Sequence, residues 1–160
     1  MRLSLPYRAV TTILLCVAVA GGCSSTGTGT SVTYSYDPRF SFPDAKTYAW
    51  LSSRSAYGGY ALVDANVRFL ADRDLQGKGL STTADNPALR AWVGYEPDYY
   101  SGYSGTGSGY ELRVLTINVA RAQDNVLVWQ GRALGKFRTD AASDDLKKIV
   151  DAMLANFPPK

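Results

Sequence analysis

Residues 110–137, YELRVLTINVARAQDNVLVWQGRALGKF, decide how this chain folds. Two runs rich in Leu, Val and Ile, Tyr110 to Ala122 and Val126 to Phe137, flank Gln123-Asp124-Asn125. Aliphatic, β-branched runs bounded by a polar turn read as strands, and an Asn in the turn accepts the left-handed backbone that a tight reversal demands. The segment is therefore a long hairpin. Its inward phase switches between Val114 and Leu115, since Leu112 and Val114 alternate one way and Leu115, Ile117 and Val119 the other. Side chains of a strand alternate with a period of two, so the switch demands either a bulge or burial on both faces.

A hairpin needs further strands or a helix to cover its apolar face. Downstream, Leu146, Ile149, Val150, Met153, Leu154 and Phe157 recur at i, i+3, i+4, i+7, i+8 and i+11, which is one stripe of a helix. Asp144 and Asp145 stand near its positive end, and Pro158-Pro159 stops it.

Upstream, Val32, Tyr34 and Tyr36 alternate with Thr33 and Ser35 as in a strand that Asp37-Pro38 breaks. Lys46 to Leu51 is a second β-type run with Tyr48 and Trp50 on one side. Leu62 to Gln76 reads as a helix. Leu62, Val63, Val67, Phe69 and Leu70 share one arc, while Asp64, Arg68 and Asp72 line the other at i, i+4 spacing as a solvated ion-pair ladder. Gly77-Lys78-Gly79 ends that helix. Leu80 to Thr83 is a short strand, Asn86-Pro87 a turn and Leu89 to Tyr95 a strand bearing Trp92. Glu96 to Gly109, with Tyr99, Tyr100 and Tyr103 among four glycines, has no periodicity and reads as a loop. The pattern predicts an α+β single domain: an antiparallel sheet with two helices packed on one face, in the order β-β-α-β-β-β-β-α.

The first 22 residues stand apart. Arg2 and Arg8 precede an apolar run from Ala9 to Ala20, the layout of a secretory signal. About 12 residues at 1.5 Å each reach only about 18 Å, short of the roughly 30 Å hydrocarbon core of a bilayer. Ala20-Gly21-Gly22-Cys23 resembles the bacterial lipobox, in which the cysteine thiol is acylated. The expected organisation is a lipoprotein signal over 1–22, a lipidated Cys23 with a flexible Ser/Thr/Gly tether over 23–31, and a periplasmic domain over 32–160. Ser24 after the cysteine favours the outer membrane in enterobacterial sorting, so the expected location is that membrane, facing the periplasm.

Cleavage removes Arg2, Arg8 and Cys16, leaving 15 basic against 14 acidic residues and no free thiol once Cys23 is acylated. A near-neutral chain without a Lys/Arg run is not a nucleic-acid binder. The chain also has no histidine. Imidazole triads and the usual zinc sites are excluded. Asp72 to Thr83 imitates an EF-hand loop, but Lys78 takes the seventh place and Thr83 the position of the bidentate glutamate. No metal, cofactor or catalytic residue is expected. Tyr95, Tyr99, Tyr100, Tyr103 and Tyr110 are candidate binding residues, because tyrosine offers wide apolar area plus a hydroxyl at low entropic cost. The expected partners are the membrane, through the lipid, and an envelope protein or cell-wall component. The alternative is an envelope enzyme working on glycan or peptide through Glu96, Asp98 or Glu111.

Several elements together resemble the bacterial envelope lipoproteins catalogued as domain of unknown function 4136. They are Tyr36-Asp37-Pro38, Lys46-Thr47-Tyr48-Ala49-Trp50, Gly77-Lys78-Gly79-Leu80, Leu127-Val128-Trp129-Gln130-Gly131 and the terminal Asn156-Phe157-Pro158-Pro159. The resemblance covers most of the mature chain and implies an α+β domain with helices on one face of a sheet. It implies no catalytic residues, and the Tyr/Gly stretch lies outside its pattern.

Overall fold

The structure, a computed structural model, describes residues 24–26, 29–52, 61–97, 111–138 and 144–159. The predicted hairpin is its centre: β6 (Glu111–Arg121) and β7 (Leu127–Arg138) pair antiparallel. Asn125 takes φ 59 in the turn between them, as a tight reversal requires. The register shifts between Leu112 and Val114, and both Val114 and Leu115 are buried. The phase switch thus has both of its expected causes, a bulge and burial on two faces.

The other strands are β1 (Ser24–Thr26), β2 (Thr30–Tyr36), β3 (Thr47–Trp50), β4 (Ser81–Thr82) and β5 (Leu89–Pro97), and the sheet order is β1-β2-β7-β6-β5-β3-β4. The helices are α1 (Ala61–Gly77) and α2 (Asp144–Leu154). The α+β class and the element order follow the expectation. Two details differ. The sheet is mixed, because β3 runs parallel to both β4 and β5 with α1 as the crossover such pairing needs. In addition, part of the expected tether is strand, since Ser24–Thr26 pairs across Thr30–Val32. The free edge of β2 offers unpaired N–H and C=O groups there, and Gly29 at φ 72 supplies the reversal.

One face of the sheet packs against α2, whose six predicted stripe residues are all at most 2% exposed. Burying a Leu, Ile, Val or Met side chain contributes about 1.5–3 kcal/mol, so this stripe is a principal source of stability. Phe157 lies beyond the last turn yet enters the core, edge-on to Trp129 (centroids 4.9 Å apart) and Phe42 (5.7 Å).

The first helix is rotated relative to the expectation. Val63, Val67, Ala71 and Leu75 form the buried row, whereas Leu62 and Phe69 are 61% and 72% exposed. The supposed outer ladder faces inward instead. Asp72 Oδ1 accepts hydrogen bonds from the Tyr48 hydroxyl (2.6 Å) and the Trp50 indole (2.7 Å). Arg68 donates to the Leu51 carbonyl at 2.7 Å, lies 2.7 Å from Asp64 Oδ2 and stacks over Trp50 at 5.4 Å. Polar tips on β3 need polar partners when covered, and that requirement outweighs apolar area in setting the roll of the helix.

Burial, followed by the hydrogen bond to Asp72, pushes the Tyr48 phenol well above its ordinary pKa. Above about pH 10 the unfolded chain releases a proton that the folded chain keeps, so this contribution, complete at lower pH, is lost as pH rises. Urea midpoints of the wild type should therefore fall more steeply between about pH 9 and pH 11 than those of Tyr48→Phe. Parallel slopes would show that the phenol ionises freely in the fold.

Helix α1 is stopped by Gly79, φ 84, two residues past its end, with Leu80 N–H bonded to the Leu75 carbonyl (3.0 Å) and Gly79 N–H to that of Gln76 (2.9 Å). Leu75 and Leu80 are both buried, which completes a Schellman stop. Lys78 turns its ammonium to the end of the other helix and donates to the carbonyls of Leu154 and Phe157, the latter at 2.7 Å. Burial lowers its pKa, against the pull of Asp74. Lys78→Met should lower unfolding stability by about 1–3 kcal/mol, because the Phe157 carbonyl loses this donor and the Leu154 carbonyl keeps only the Phe157 N–H. The exposed Lys148→Met should change it by less than about 0.5 kcal/mol. Equal effects would contradict the capping role.

Candidate functional site

At the end of the sheet where β5 begins and β6 finishes, three connections leave a cleft of about 660 Å³. That volume suits a small ligand or one segment of a larger one. Phe40, Asp44 and Ala45 enter from the β2–β3 connection, Pro87 and Ala88 from the β4–β5 connection, Arg90 from β5, Arg121 from the end of β6 and Gln123 from the β6–β7 turn. The connections gather here for local reasons. Asp37 N–H bonds the Val128 carbonyl at 2.9 Å, and its carboxylate takes both Arg39 N–H at 3.0 Å and the Arg39 guanidinium. Asp37-Pro38 thus turns the chain towards the short 3-10 turn Phe42–Asp44, which Phe42 anchors in the core. On the other side, Ala88 N–H bonds the Thr47 hydroxyl at 3.0 Å, and Ala122 N–H bonds the Ala88 carbonyl at 3.0 Å.

The β6–β7 turn holds both guanidinium groups of the cleft. Arg121 meets Asp124 through Nε (2.9 Å) and Nη2 (2.6 Å), and Arg90 Nη1 donates to Asn125 Oδ1 at 2.8 Å. The bidentate pair holds the Asp124 carboxyl below its ordinary range and raises that of Arg121. Across the cleft the Ser41 hydroxyl donates to Asp44 Oδ2 at 2.5 Å. The lining thus carries Arg90 and Arg121 with one carboxylate, Asp44, beside the apolar surfaces of Phe40, Ala45, Pro87, Ala88 and Ala122, and the charge of Arg121 is answered by Asp124 in the adjoining turn. Among the described residues, no three His, Cys, Asp or Glu side chains converge as a metal site would require.

The candidates read from sequence fall elsewhere. Tyr95 lies on β5 opposite Leu115, on the helix-bearing face, and packs against the core rather than presenting a ring to solvent. Tyr99, Tyr100, Tyr103 and Tyr110 lie outside the described residues, as do Cys23 and Asp98. Glu96 is exposed on the face without helices, opposite Val114, and Glu111 begins β6 opposite Arg138. The EF-hand imitation is accounted for differently: Asp72 serves Tyr48 and Trp50, and Lys78 caps α2. Sequence reasoning did not find Arg90, Arg121 or Asp44. The one local signal was Arg121 three residues before Asp124, a spacing that closes an ion pair across a turn.

The fold is shared with solved structures of low identity. A PDZ domain protein from Parabacteroides distasonis superposes with a TM-score of 0.60 at 15% identity, over 81% of this chain and 35% of that one. The chain thus spans about a third of that protein's length. PelC from Paraburkholderia phytofirmans, solved as a dodecamer, superposes with a TM-score of 0.51 at 12% identity over 79% of this chain and 95% of its own, and in a second crystal form with 0.50. No curated protein matches the sequence. The model of the family described as Domain of unknown function (DUF4136) matches residues 32–159, so that its span begins in β2 and runs through Phe157-Pro158-Pro159, and the chain belongs to that family.

Proposed function

We propose that this chain is a bacterial outer-membrane lipoprotein facing the periplasm, anchored through an acylated Cys23 and working as a non-catalytic binding module. The observation that carries the reading is Ala20-Gly21-Gly22-Cys23 at the end of a basic-then-apolar leader. Several acyl chains, at about 0.8 kcal/mol per buried CH₂, hold a protein on a bilayer far more firmly than the single chain that gives marginal binding. The start of β1 at Ser24 fits this reading, since the folded domain would begin beside the anchor and stay close to the membrane surface. The cleft supports binding over catalysis: its one hydroxyl–carboxylate pair, Ser41 and Asp44, has no third group to orient it, and the two guanidinium groups of the lining are held by Asp124 and Asn125.

The test is the intact mass of the chain extracted from membranes of an expressing bacterium. The expected product starts at Cys23 and carries acyl groups, and it travels with outer-membrane markers on a density gradient. A soluble periplasmic product with a free Cys23 thiol would overturn the anchor.

A further inference from the structure

The sheet face turned away from the helices carries an ordered polar surface that the cleft does not use. The pairing register places side chains there in rows across the strands. Trp92, Asn118, Gln130 and Ser35 form one row, and Gly94, Thr116, Arg132 and Thr33 the next. Glu96 and Leu134 stand in the row beyond, and Arg90, one position before Trp92 on this face, also lines the cleft.

The groups in these rows are fixed to one another. Gln130 Nε2 donates to Asn118 Oδ1 at 2.7 Å, Asn118 Nδ2 to Thr116 Oγ1 at 3.0 Å, and Thr116 Oγ1 to the Gly94 carbonyl at 3.3 Å. A Cβ on Gly94 would come within 2.6 Å of Thr116 Oγ1, so the glycine lets this hydroxyl lie across β5 and keeps the surface flat. Asn118 is 5% exposed and locks its neighbours, whereas Trp92, Thr116 and Gln130 are half-exposed. Arg132 and Glu96 are exposed, and neither forms an ion pair with a described residue.

We propose that this face binds a linear glycan of N-acetylated sugars, with Trp92, Thr116, Gln130, Arg132 and Glu96 as its contact residues. The half-exposed indole offers a flat apolar surface for the CH face of a pyranose ring. The unspent carbonyl and N–H of Gln130 match an acetamido group. Arg132 and Glu96 bracket the Thr116 hydroxyl as donor and acceptor for ring hydroxyls. A peptide strand fits less well, since the backbone groups of β5, β6 and β7 are spent on the sheet. A nucleic acid would require a basic stripe, and here Arg90 and Arg132 stand four residues of β6 apart, with the carboxylate of Glu96 on the same face. From Arg90 to Glu96 the track runs about 20 Å along β5, long enough for several sugar rings. The proposal rests on the binding-module reading but not on the lipid anchor.

The mature chain, in detergent micelles whether or not it is acylated, should be titrated with the β-1,4-linked hexamer of N-acetylglucosamine by calorimetry, with the Gln130 side-chain amide resonances followed by NMR. Those resonances should shift, and the fully deacetylated hexamer should bind about tenfold more weakly, as expected where a fixed amide loses its partner. Gln130→Ala and Arg132→Ala, both at exposed or half-exposed positions, should each weaken binding about tenfold, while the distant Arg39→Ala leaves it unchanged. Trp92→Ala should abolish it. Co-pelleting with purified cell-wall sacculi separates the sources: co-pelleting supports wall glycan, and hexamer binding without it supports an exported polysaccharide of the same chemistry. Absence of hexamer binding, or binding insensitive to Gln130→Ala and Arg132→Ala, overturns the proposal. Loss of the anchor alone would be seen in the mass of Cys23 and would leave this result standing.

Discussion

Gly131→Val should destabilise the domain by about 3 kcal/mol or more, at the upper end of what overpacking costs a core. A Cβ at this position would lie 2.5 Å from Trp129 Cη2 and 3.1 Å from Met153 Cβ. Neither neighbour can give way. Trp129 is 1% exposed and edge-on to Phe157, and the Met153 contact is through Cβ, fixed to the backbone of α2. The indole is folded back over its own strand two residues on, and only a glycine leaves the room. Gly131→Ala should cost less but still lower the midpoint of denaturant unfolding. Trp129→Phe in the Gly131→Ala background should recover part of that loss, since a smaller ring relieves the contact and coupled neighbours are not additive. Unchanged midpoints for Gly131→Val would mean that α2 does not sit as close to β7 as the structure has it.

The position shows where sequence reading stops. Leu127-Val128-Trp129-Gln130-Gly131 is legible as strand, and its glycine as part of a family pattern, but the reason for the glycine is a contact with Trp129 and Met153 that no period reveals. The elements that were legible are those in which one physical demand acts alone. The stripe of α2 is set by apolar burial, and all six of its residues are buried. The bulge before Val114 was visible because two alternations collide there. Helix α1 was misjudged in its roll because two demands compete. Its apolar residues lie on too many sides to fix an orientation, and the hydroxyl of Tyr48 and the indole N–H of Trp50 recruit Asp72 from the face that a solvated ladder should occupy.

The candidate site was hidden for a related reason. Arg90 and Arg121 are brought to one cleft by a turn whose Asn125 and Asp124 hold one guanidinium each, so the site exists only after β5, β6 and β7 are paired. Tyr95 misled because it adjoins a tyrosine-rich stretch, while strand parity from Leu89 through Ala91 and Val93 already turns it towards the core. The rows on the helix-free face follow from that same parity. They could not be assembled before the register of three strands was known.

On the proposed lipoprotein reading, Cys23→Ala should abolish acylation and leave unprocessed precursor in the inner membrane, so that one substitution changes both the chemistry and the location of the chain. The other cysteine of the precursor, Cys16, lies inside the apolar run behind Leu14-Leu15 and not behind small residues as Cys23 does, so it should not take the lipid. Folding should be unaffected, because the described contacts of β1 begin at Ser24 and the core is built from residues 32–157. Two measurements on the same cells separate the outcomes. Metabolic labelling with a fatty acid should mark the wild type and not the variant, and a domain released from either by limited proteolysis should melt at the same temperature. Ser24→Asp gives a graded control: under enterobacterial sorting it should keep the label and shift the protein to the inner membrane. Fatty-acid label persisting on Cys23→Ala would end the lipoprotein reading, and a lowered melting temperature would mean that the residue before β1 contributes to the fold.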